Sequence, residues 1–211
     1  RVTSFGTSAI LTEVPEMFGA ETLLMQRCKN RETFDKCVDM INSFKQYFFS
    51  HNQECYENPS PGNHDGGITT LEEKSLGCIQ KGGKAIITDI LKYGEHCKKP
   101  GLSLLTGPGN DIVSVTNLTA AGANIILFTT GRGTPLGAPV PTVKISSNSS
   151  LYKRKSNWID FNAGELINNR DFENITEEIL NLVIEVASGK KTKNEINSYR
   201  DISIFKDGVI M

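Results

Sequence analysis

The sequence predicts an α/β fold, a three-layer domain in which helices cover a mostly parallel, Rossmann-like sheet. Two apolar segments, Leu102–Leu105 and Ala123–Thr129, have the composition of buried strands, and each runs into a glycine- and threonine-rich loop. A helical pattern, Ile112–Ala121, lies between them. This order is typical of a βαβ unit, which places both loops at the carboxyl ends of parallel strands, where open sheets bind ligands. The order of the strands is left unpredicted.

The amino-terminal part is predicted to contain a buried strand and a long helix. Ser8–Val14 is rich in β-forming residues, and Pro15 suits the first turn of a following helix. Arg31–Ser50 repeats apolar residues at intervals of three and four, which predicts an amphipathic helix. Glu13 and Glu16 either favour the start of a helix by their charge or place carboxylates at the end of a strand.

The segment Asn58–Gly83 is the densest in residues that carry chemistry. Its first ten residues hold two prolines and three glycines, which predicts a loop with unusual backbone angles. Thr70–Ile79 then has the pattern of a helix, with Thr69 or Thr70 as its N-cap. Glu72 or Glu73 would complete a capping box, which is a purely structural role for one of the two.

The remaining elements follow from shorter patterns. Lys84–Leu91 is apolar and β-branched, so it is predicted as a strand, with the start of an amphipathic helix as the alternative. Asn110 or Asp111 is expected to cap the helix that follows the GPGND loop. The later predictions are strands at 140–147 and 158–161, a helix at 175–187 capped by Asn174, and a strand-like segment at 202–205.

Composition excludes several classes of function. The chain has 211 residues and a formal net charge of -1, which gives no electrostatic case for binding nucleic acid or a membrane surface. Five cysteines without a CxxC pair argue against a disulfide framework and a zinc ribbon, and favour the cytoplasm. The sequence has no apolar run of membrane-spanning length.

The chain begins at Arg1, which suggests that it is part of a longer protein. We divide it into residues 1–57, a strand-helix-helix segment that continues from an absent amino-terminal part, and residues 58–211, a carboxyl-terminal α/β domain. The two regions are expected to form one structural unit.

Five long blocks resemble the altronate dehydratase / D-galactarate dehydratase family, and they occur in order over most of the chain. The closing IFKDGV also resembles the carboxyl terminus of that family. The blocks are AILTEVPEMFGAE (Ala9–Glu21), NPSPGNHDGGITTLEEKSLGCIQKGG (Asn58–Gly83), LLTGPGND (Leu104–Asp111), ILFTTGRGTPLGAPVPTVKISSN (Ile126–Asn148) and WIDFNAG (Trp158–Gly164).

The resemblance implies a hydro-lyase of hexuronate catabolism that dehydrates a sugar acid to a 2-keto-3-deoxy acid. It also implies a divalent metal, Fe(II) or Mn(II), and an amino-terminal part of the enzyme that contributes to the site. The expected partners are therefore the sugar acid and that remaining part, with a homo-oligomer left open. A sulfolactate sulfo-lyase large subunit, from the same family, and a non-catalytic anion-binding α/β module are the alternatives.

The candidate site residues are hypotheses guided by this chemistry. Removing a proton beside a carboxylate needs a base, an acid for the leaving hydroxyl and a cation for the enediolate. Lys74 serves as a base or as that cation, against the common alternative of a solvated lysine. Cys78 is interpreted as a small packed residue. The predicted residues are catalytic His64, Lys74 and Glu73; metal-binding Glu13 and Glu16; and substrate-binding Asn63, Thr106, Gly107, Gly109, Asn110, Thr130, Gly131 and Arg132.

Overall fold

A computed structural model describes residues 1–55, 59, 61–168 and 170–208, and divides the chain into two compact units. The first comprises Arg1–Gly122 and the segment that begins at Ile204, and the second comprises Ala123–Ser203. Residues 1–57 thus belong to the same unit as the segment that follows them. The boundary after residue 57 stays a prediction about domain organisation.

The first unit is built on a three-stranded parallel sheet in the order β1-β3-β2. Short 3₁₀ helices at Val2–Phe5 and Val14–Met17 flank the first strand. The elements in chain order are β1 (Ser8–Leu11), α1 (Glu21–Met25), α2 (Arg31–Ser50), α3 (Pro61–Asp65), α4 (Leu71–Gln80), β2 (Ile87–Leu91), β3 (Gly101–Leu105) and α5 (Asp111–Ala120).

The central strand β3 divides the apolar residues of this unit between two cores. Leu102 and Leu104 point to one face, where they join a core that includes Ile41 of α2. Leu105 points to the other face, where it packs with Leu118 of α5. Because side chains alternate along a strand, an apolar strand buried on both faces requires a helical layer on each side. The first unit therefore has three layers.

The second unit has its own three-stranded parallel sheet, in the order β4-β5-β6. The α7 helix packs on it through Val186, which contacts the core around Val143 and Ile145. The elements are β4 (Ile126–Thr130), β5 (Thr142–Ser146), α6 (Ser149–Arg154), β6 (Phe161–Asn162), a 3₁₀ helix at Ala163–Asn168, α7 (Phe172–Ala187) and α8 (Lys193–Ile196).

The predicted α/β class with parallel strands is confirmed, but the predicted βαβ unit is wrong in its pairing. Both strands and the helix between them exist, yet β3 and β4 belong to different sheets. The two edges of β3 are already hydrogen-bonded to β1 and β2, so no edge is left for β4. A sequence pattern marks a strand without fixing its partner.

Some predictions of helix caps and strands are confirmed, and others are wrong. Thr70 caps α4 and forms a capping box with Glu73, as expected, and Asn110 caps α5. The cap of α7 is Asp171 rather than the predicted Asn174. No strand forms at 202–205; Phe205 instead packs against aromatic rings of the first unit. None of the described helices is long and apolar enough to cross a membrane.

Candidate functional site

The loops that follow β1 and β3 are joined at the carboxyl edge of the first sheet. The strands are parallel and in register, with Leu11 opposite Leu104, so both loops leave the sheet at the same edge. The amide of Val14 donates a hydrogen bond to the carbonyl of Gly107 over 3.0 Å. The segment containing Glu13 and Glu16 therefore adjoins the predicted substrate loop Thr106–Asn110.

Asn117 of α5 joins the loop that follows β3 to the loop that follows β2. Its side chain is buried and donates to the carbonyl of Thr106 at 2.9 Å, while its Oδ1 accepts from the amide of Gly94 at 2.8 Å. A Cβ atom at position 107 would lie 2.8 Å from Nδ2 of Asn117 and 2.9 Å from Oγ1 of Thr12. Only glycine fits there without displacing these groups.

Helix α4 presents a polar stripe to this edge. The Ser75 hydroxyl donates to the carbonyl of Phe18 and anchors the helix against the segment that follows β1. Lys74, Cys78 and Lys81 are spaced by four and three, so they share one side of the helix. Lys74 Nζ lies 2.9 Å from Oε1 of Glu16, and Cys78 Sγ donates to its Oε2 at 2.9 Å.

The environment of Glu16 favours its charged form. Burial opposes the charge, but the hydrogen bonds from Cys78 and Lys74 outweigh burial and lower the pKa of this carboxyl. Desolvation would likewise lower the pKa of Lys81, but the acidic groups of Cys78, Glu13 and Glu16 near it raise that pKa. At neutral pH, Glu16 is thus an anion with cations beside it.

The environment of Glu13, in contrast, favours the protonated form of its carboxyl. Burial, reinforced by the charge of Glu16, raises the pKa of Glu13 from 4.5 to about 7, against the opposing effect of Lys81. No described residue donates a hydrogen bond to its carboxylate, and the residue keeps part of its surface in contact with solvent. Its backbone is left-handed, with φ 72° and ψ 61°, a strained conformation for a non-glycine residue that is concentrated at functional sites.

Together these groups form a cluster of acidic and basic side chains, which we call the edge cluster: Glu13, Glu16, Lys74, Cys78 and Lys81. It contains one carboxyl that titrates near neutral pH and one that stays ionised, with two lysines nearby. Two carboxyls with different pKa values can divide proton transfer and charge stabilisation between them. The lysines can attract an anionic substrate.

The described residues do not by themselves assemble a metal site. Among residues 1–55, 59, 61–168 and 170–208, no group of three or more His, Cys, Asp or Glu side chains is placed to hold an ion. Glu13 and Glu16, the predicted ligands, offer two carboxylates, and both oxygens of Glu16 are hydrogen-bonded to Lys74 and Cys78. Two carboxylates, one of which is engaged by these hydrogen bonds, are too few ligands for Fe(II) or Mn(II), so this donor set does not fit either ion.

The other predicted catalytic residues lie outside the edge cluster. The Glu73 carboxylate accepts hydrogen bonds from the Thr69 amide and hydroxyl and from the Thr70 amide, which places it in the capping box. His64 is exposed and Asn63 half-buried in the short α3 helix. Asn58, in the first part of the predicted loop, lies outside the described residues, as does Ser60.

The predicted substrate-binding residues are split between the two units. In the first unit, Gly109 is exposed, and the side chain of Asn110 accepts from the Val113 amide as the cap of α5. In the second unit, Thr130 and Gly131 have local partners: the Thr130 hydroxyl accepts from the Gly133 amide at 2.9 Å, and the Gly131 carbonyl accepts from Asn148 at 3.0 Å. Arg132 is exposed beside them.

Three residues at this edge are not predicted from the sequence as site residues. The sequence predicts a packing role for Cys78 and no role for Lys81 or Asn117. The spacing of Lys74, Cys78 and Lys81 on one helical face was a usable signal, because polar groups at i, i+4 and i+7 point the same way. No sequence signal marks Asn117, because an amide inside a helix is usually solvated.

Comparison with known proteins identifies the family of the chain. A family model described as "D-galactarate/Altronate dehydratase, C-terminal" matches residues 1–210. The chain is 55% identical over 206 residues to altronate dehydratase of Escherichia coli (strain K12), and 57% identical over 207 residues to altronate dehydratase of Bacillus subtilis (strain 168). Each match covers 98% of this chain and 42% of the relative.

A third relative is more distant. Galactarate dehydratase (L-threo-forming) of Escherichia coli (strain K12) is 34% identical over 188 residues, which cover 88% of this chain and 36% of that protein. The chain thus spans less than half the length of these relatives. Since the family model covers nearly every residue, the chain belongs to the D-galactarate/altronate dehydratase family and corresponds to its carboxyl-terminal domain.

Proposed function

We propose that this chain is the carboxyl-terminal part of a hydro-lyase that dehydrates altronate, or galactarate, to a 2-keto-3-deoxy acid. The observation that carries the proposal is the edge cluster, which joins acidic and basic groups at the carboxyl end of parallel strands in a chain of this family. The higher identity to the two altronate dehydratases favours altronate over galactarate.

The proposed reaction is an elimination without net oxidation or reduction. A base takes the proton from the carbon beside the carboxylate, and the released electron pair forms a double bond to the next carbon. The hydroxyl on that carbon leaves with a proton as water. The resulting enol then takes a proton on carbon and becomes the ketone.

The charges of the edge cluster suit the two difficult parts of this reaction. The proton to be removed is only weakly acidic, because the neighbouring carboxylate is already an anion and the enediolate adds a second charge. Lys74 and Lys81 can attract the substrate carboxylate and stabilise that developing charge. A carboxyl that titrates near pH 7 can accept one proton and donate another at neutral pH.

Roles in proton transfer and substrate binding are also proposed for predicted residues outside the edge cluster. His64 is proposed as a further proton-transferring group, and Asn63 with the Thr106–Asn110 loop is proposed to bind substrate hydroxyls. Arg132, with Thr130 and Gly131, is proposed to bind a carboxylate through its planar guanidinium. Wild-type kcat/KM in His64→Ala would remove His64 from the mechanism.

The metal requirement stays a prediction. A metal ion would supply a Lewis acid for the substrate oxygens. Metal analysis of the purified enzyme, and activity after dialysis against a chelator followed by addition of Fe(II) or Mn(II), would test it. Unchanged activity in metal-free enzyme would exclude a required ion.

We propose that the enzyme works in the cytoplasm. All five cysteines are free, which suits the reducing conditions of that compartment. Because the matched relatives are more than twice as long as the aligned region, we propose that the remainder of such an enzyme contributes to the complete site. Assembly into a homo-oligomer can be checked by light scattering.

A substrate panel separates the proposal from its alternatives. Purified enzyme is incubated with altronate, galactarate and sulfolactate, with and without Fe(II), while 2-keto-3-deoxy acid and sulfite are measured. We expect the keto acid from altronate at the highest kcat/KM. Sulfite from sulfolactate alone would identify a sulfo-lyase, and binding without turnover of any compound would identify a non-catalytic module.

A further inference from the structure

Both oxygens of the Glu16 carboxylate are held by side chains from one face of α4. Lys74 Nζ lies 2.9 Å from Oε1, and Cys78 Sγ donates to Oε2 at 2.9 Å. The two donors are one helical turn apart, so they meet the carboxylate from neighbouring positions on a rigid element. The side chains of Lys74 and Glu16 are only 13% and 16% exposed, which limits competition from water.

The chemistry of Cys78 is that of a donor rather than a nucleophile. Burial and the charge of Glu16 raise the pKa of its thiol to about 12, so the proton stays on sulfur at neutral pH. A thiol with its proton is a weak nucleophile but can donate a hydrogen bond. Its proton points to a carboxylate that the neighbouring lysine keeps in place.

We infer that Cys78 is a positioning residue whose thiol, together with Lys74, holds the Glu16 carboxylate in one orientation beside the Thr106–Asn110 loop. Glu16 lies against that loop, since a Cβ atom at Gly109 would lie 3.9 Å from its Cγ. The inference rests on the proposed dehydratase function. It adds a role for Cys78, which acts through Glu16.

The first test compares two substitutions that differ in one donor group. Cys78→Ala removes the donor, whereas Cys78→Ser keeps one of similar size. Because a hydrogen bond to a charged group contributes substantially, we expect Cys78→Ala to lower kcat about 10-fold or more with KM changed by less than about 3-fold. We expect Cys78→Ser to restore most of kcat. Cys28→Ala is the matched control, since Cys28 is a half-buried cysteine whose thiol donates to the Leu24 carbonyl, away from the edge cluster.

The outcomes separate this inference from the proposed function. An enzyme whose wild type does not turn over any sugar acid contradicts the proposed function. An active enzyme in which Cys78→Ala has wild-type kcat and KM contradicts the role of Cys78 alone. The role of Cys78 is also contradicted if Cys78→Ser has as low a kcat as Cys78→Ala, because the serine hydroxyl should replace the thiol as hydrogen-bond donor.

A double-mutant cycle keeps the inference testable if Cys78→Ala unfolds easily. Denaturation midpoints are measured for wild type, Cys78→Val, Glu16→Gln and the double variant, because valine is close to cysteine in size but has no donor. Since Cys78 is proposed to act through Glu16, the shift caused by Cys78→Val should be smaller in the Glu16→Gln background. Additive shifts would show that the thiol and the carboxylate are energetically independent and would overturn the inference.

Discussion

Lys74 and Glu16 form an ion pair at the carboxyl edge of the first sheet, with 2.9 Å between Nζ and Oε1. The pair ties α4 to the 3₁₀ helix that follows β1, and both side chains are largely shielded from water. A shielded ion pair contributes little net stability, but loss of one partner leaves the other charge uncompensated. Loss of either partner should therefore destabilise the fold as well as disturb the proposed site.

Replacing Lys74 should lower activity in addition to stability. Lys74→Met keeps the aliphatic part of the side chain but removes the cation beside Glu16 and the proposed substrate charge. We expect kcat/KM to fall about 100-fold or more, as when a group that stabilises developing charge is removed. Steady-state kinetics with the preferred sugar acid measures this loss.

Lys45→Met is the control for Lys74→Met. Lys45 forms a similarly shielded pair with Glu21, 2.6 Å apart, between α1 and α2. Its loss should lower the melting temperature but leave kcat/KM within about 3-fold of wild type, since this pair lies away from the proposed chemistry. Equal losses of activity in the two variants would mean that Lys74 acts only through folding.

Glu13 should make the protein less stable as the pH rises. Its folded-state pKa is raised above 4.5, so folding favours the protonated form. This contribution is complete below pH 4.5 and is lost as the pH rises through about 7. Glu13→Gln, which cannot ionise, should therefore exceed wild type in unfolding free energy by on the order of 2 kcal/mol at pH 8, and by much less near pH 4.5.

Chemical denaturation of wild type and Glu13→Gln at several pH values measures this difference. The same variant should lose most of the proposed dehydratase activity, because glutamine cannot carry the proton. A stability difference that does not change with pH would show that the carboxyl titrates normally. High activity in Glu13→Gln would exclude Glu13 as the proton-transferring group.

Gly107 should not tolerate a methyl group. A Cβ atom there would approach the side chains of Asn117 and Thr12 to 2.8 and 2.9 Å, so the loop must shift. We expect Gly107→Ala to cost about 1–3 kcal/mol in unfolding free energy and to reduce kcat/KM. Gly77→Ala is the control, because open space surrounds that position in α4 and alanine should stabilise the helix by roughly 1 kcal/mol. Similar behaviour of the two variants would contradict the packing at Gly107.

Two substitutions in the capping box at the start of α4 distinguish a structural role of Glu73 from a catalytic one. Thr70→Ala removes the N-cap hydroxyl and should cost about 1 kcal/mol in unfolding free energy. Glu73→Ala should also lower the melting temperature, because its carboxylate accepts from the Thr69 and Thr70 amides. We expect both variants to retain wild-type kcat, measured well below their melting temperatures. A large loss of kcat in Glu73→Ala alone would support a catalytic role.

The sequence predicted those features that depend on neighbours along the chain. The periodicity of Arg31–Ser50 predicted α2, and the Thr70 and Asn110 caps were recognisable from residue type and position. Ordered blocks identified the family without any coordinates. Glu13, Glu16 and Lys74 were chosen as site residues because carboxylates after a strand and a lysine after a glycine-rich loop suit the chemistry.

Only the tertiary structure decided which of these groups meet. The pairing of β3 with β1, rather than with β4, brings the GPGND loop beside Glu13 and Glu16. The packing of α4 against the 3₁₀ helix then turns Lys74 and Cys78 towards Glu16. Burial opposes the charge of both glutamates and raises the pKa of Glu13, whereas hydrogen bonds from Cys78 and Lys74 lower the pKa of Glu16, although the two residues look equivalent in the sequence. Residue type and spacing are local, whereas strand pairing and desolvation depend on contacts between distant segments.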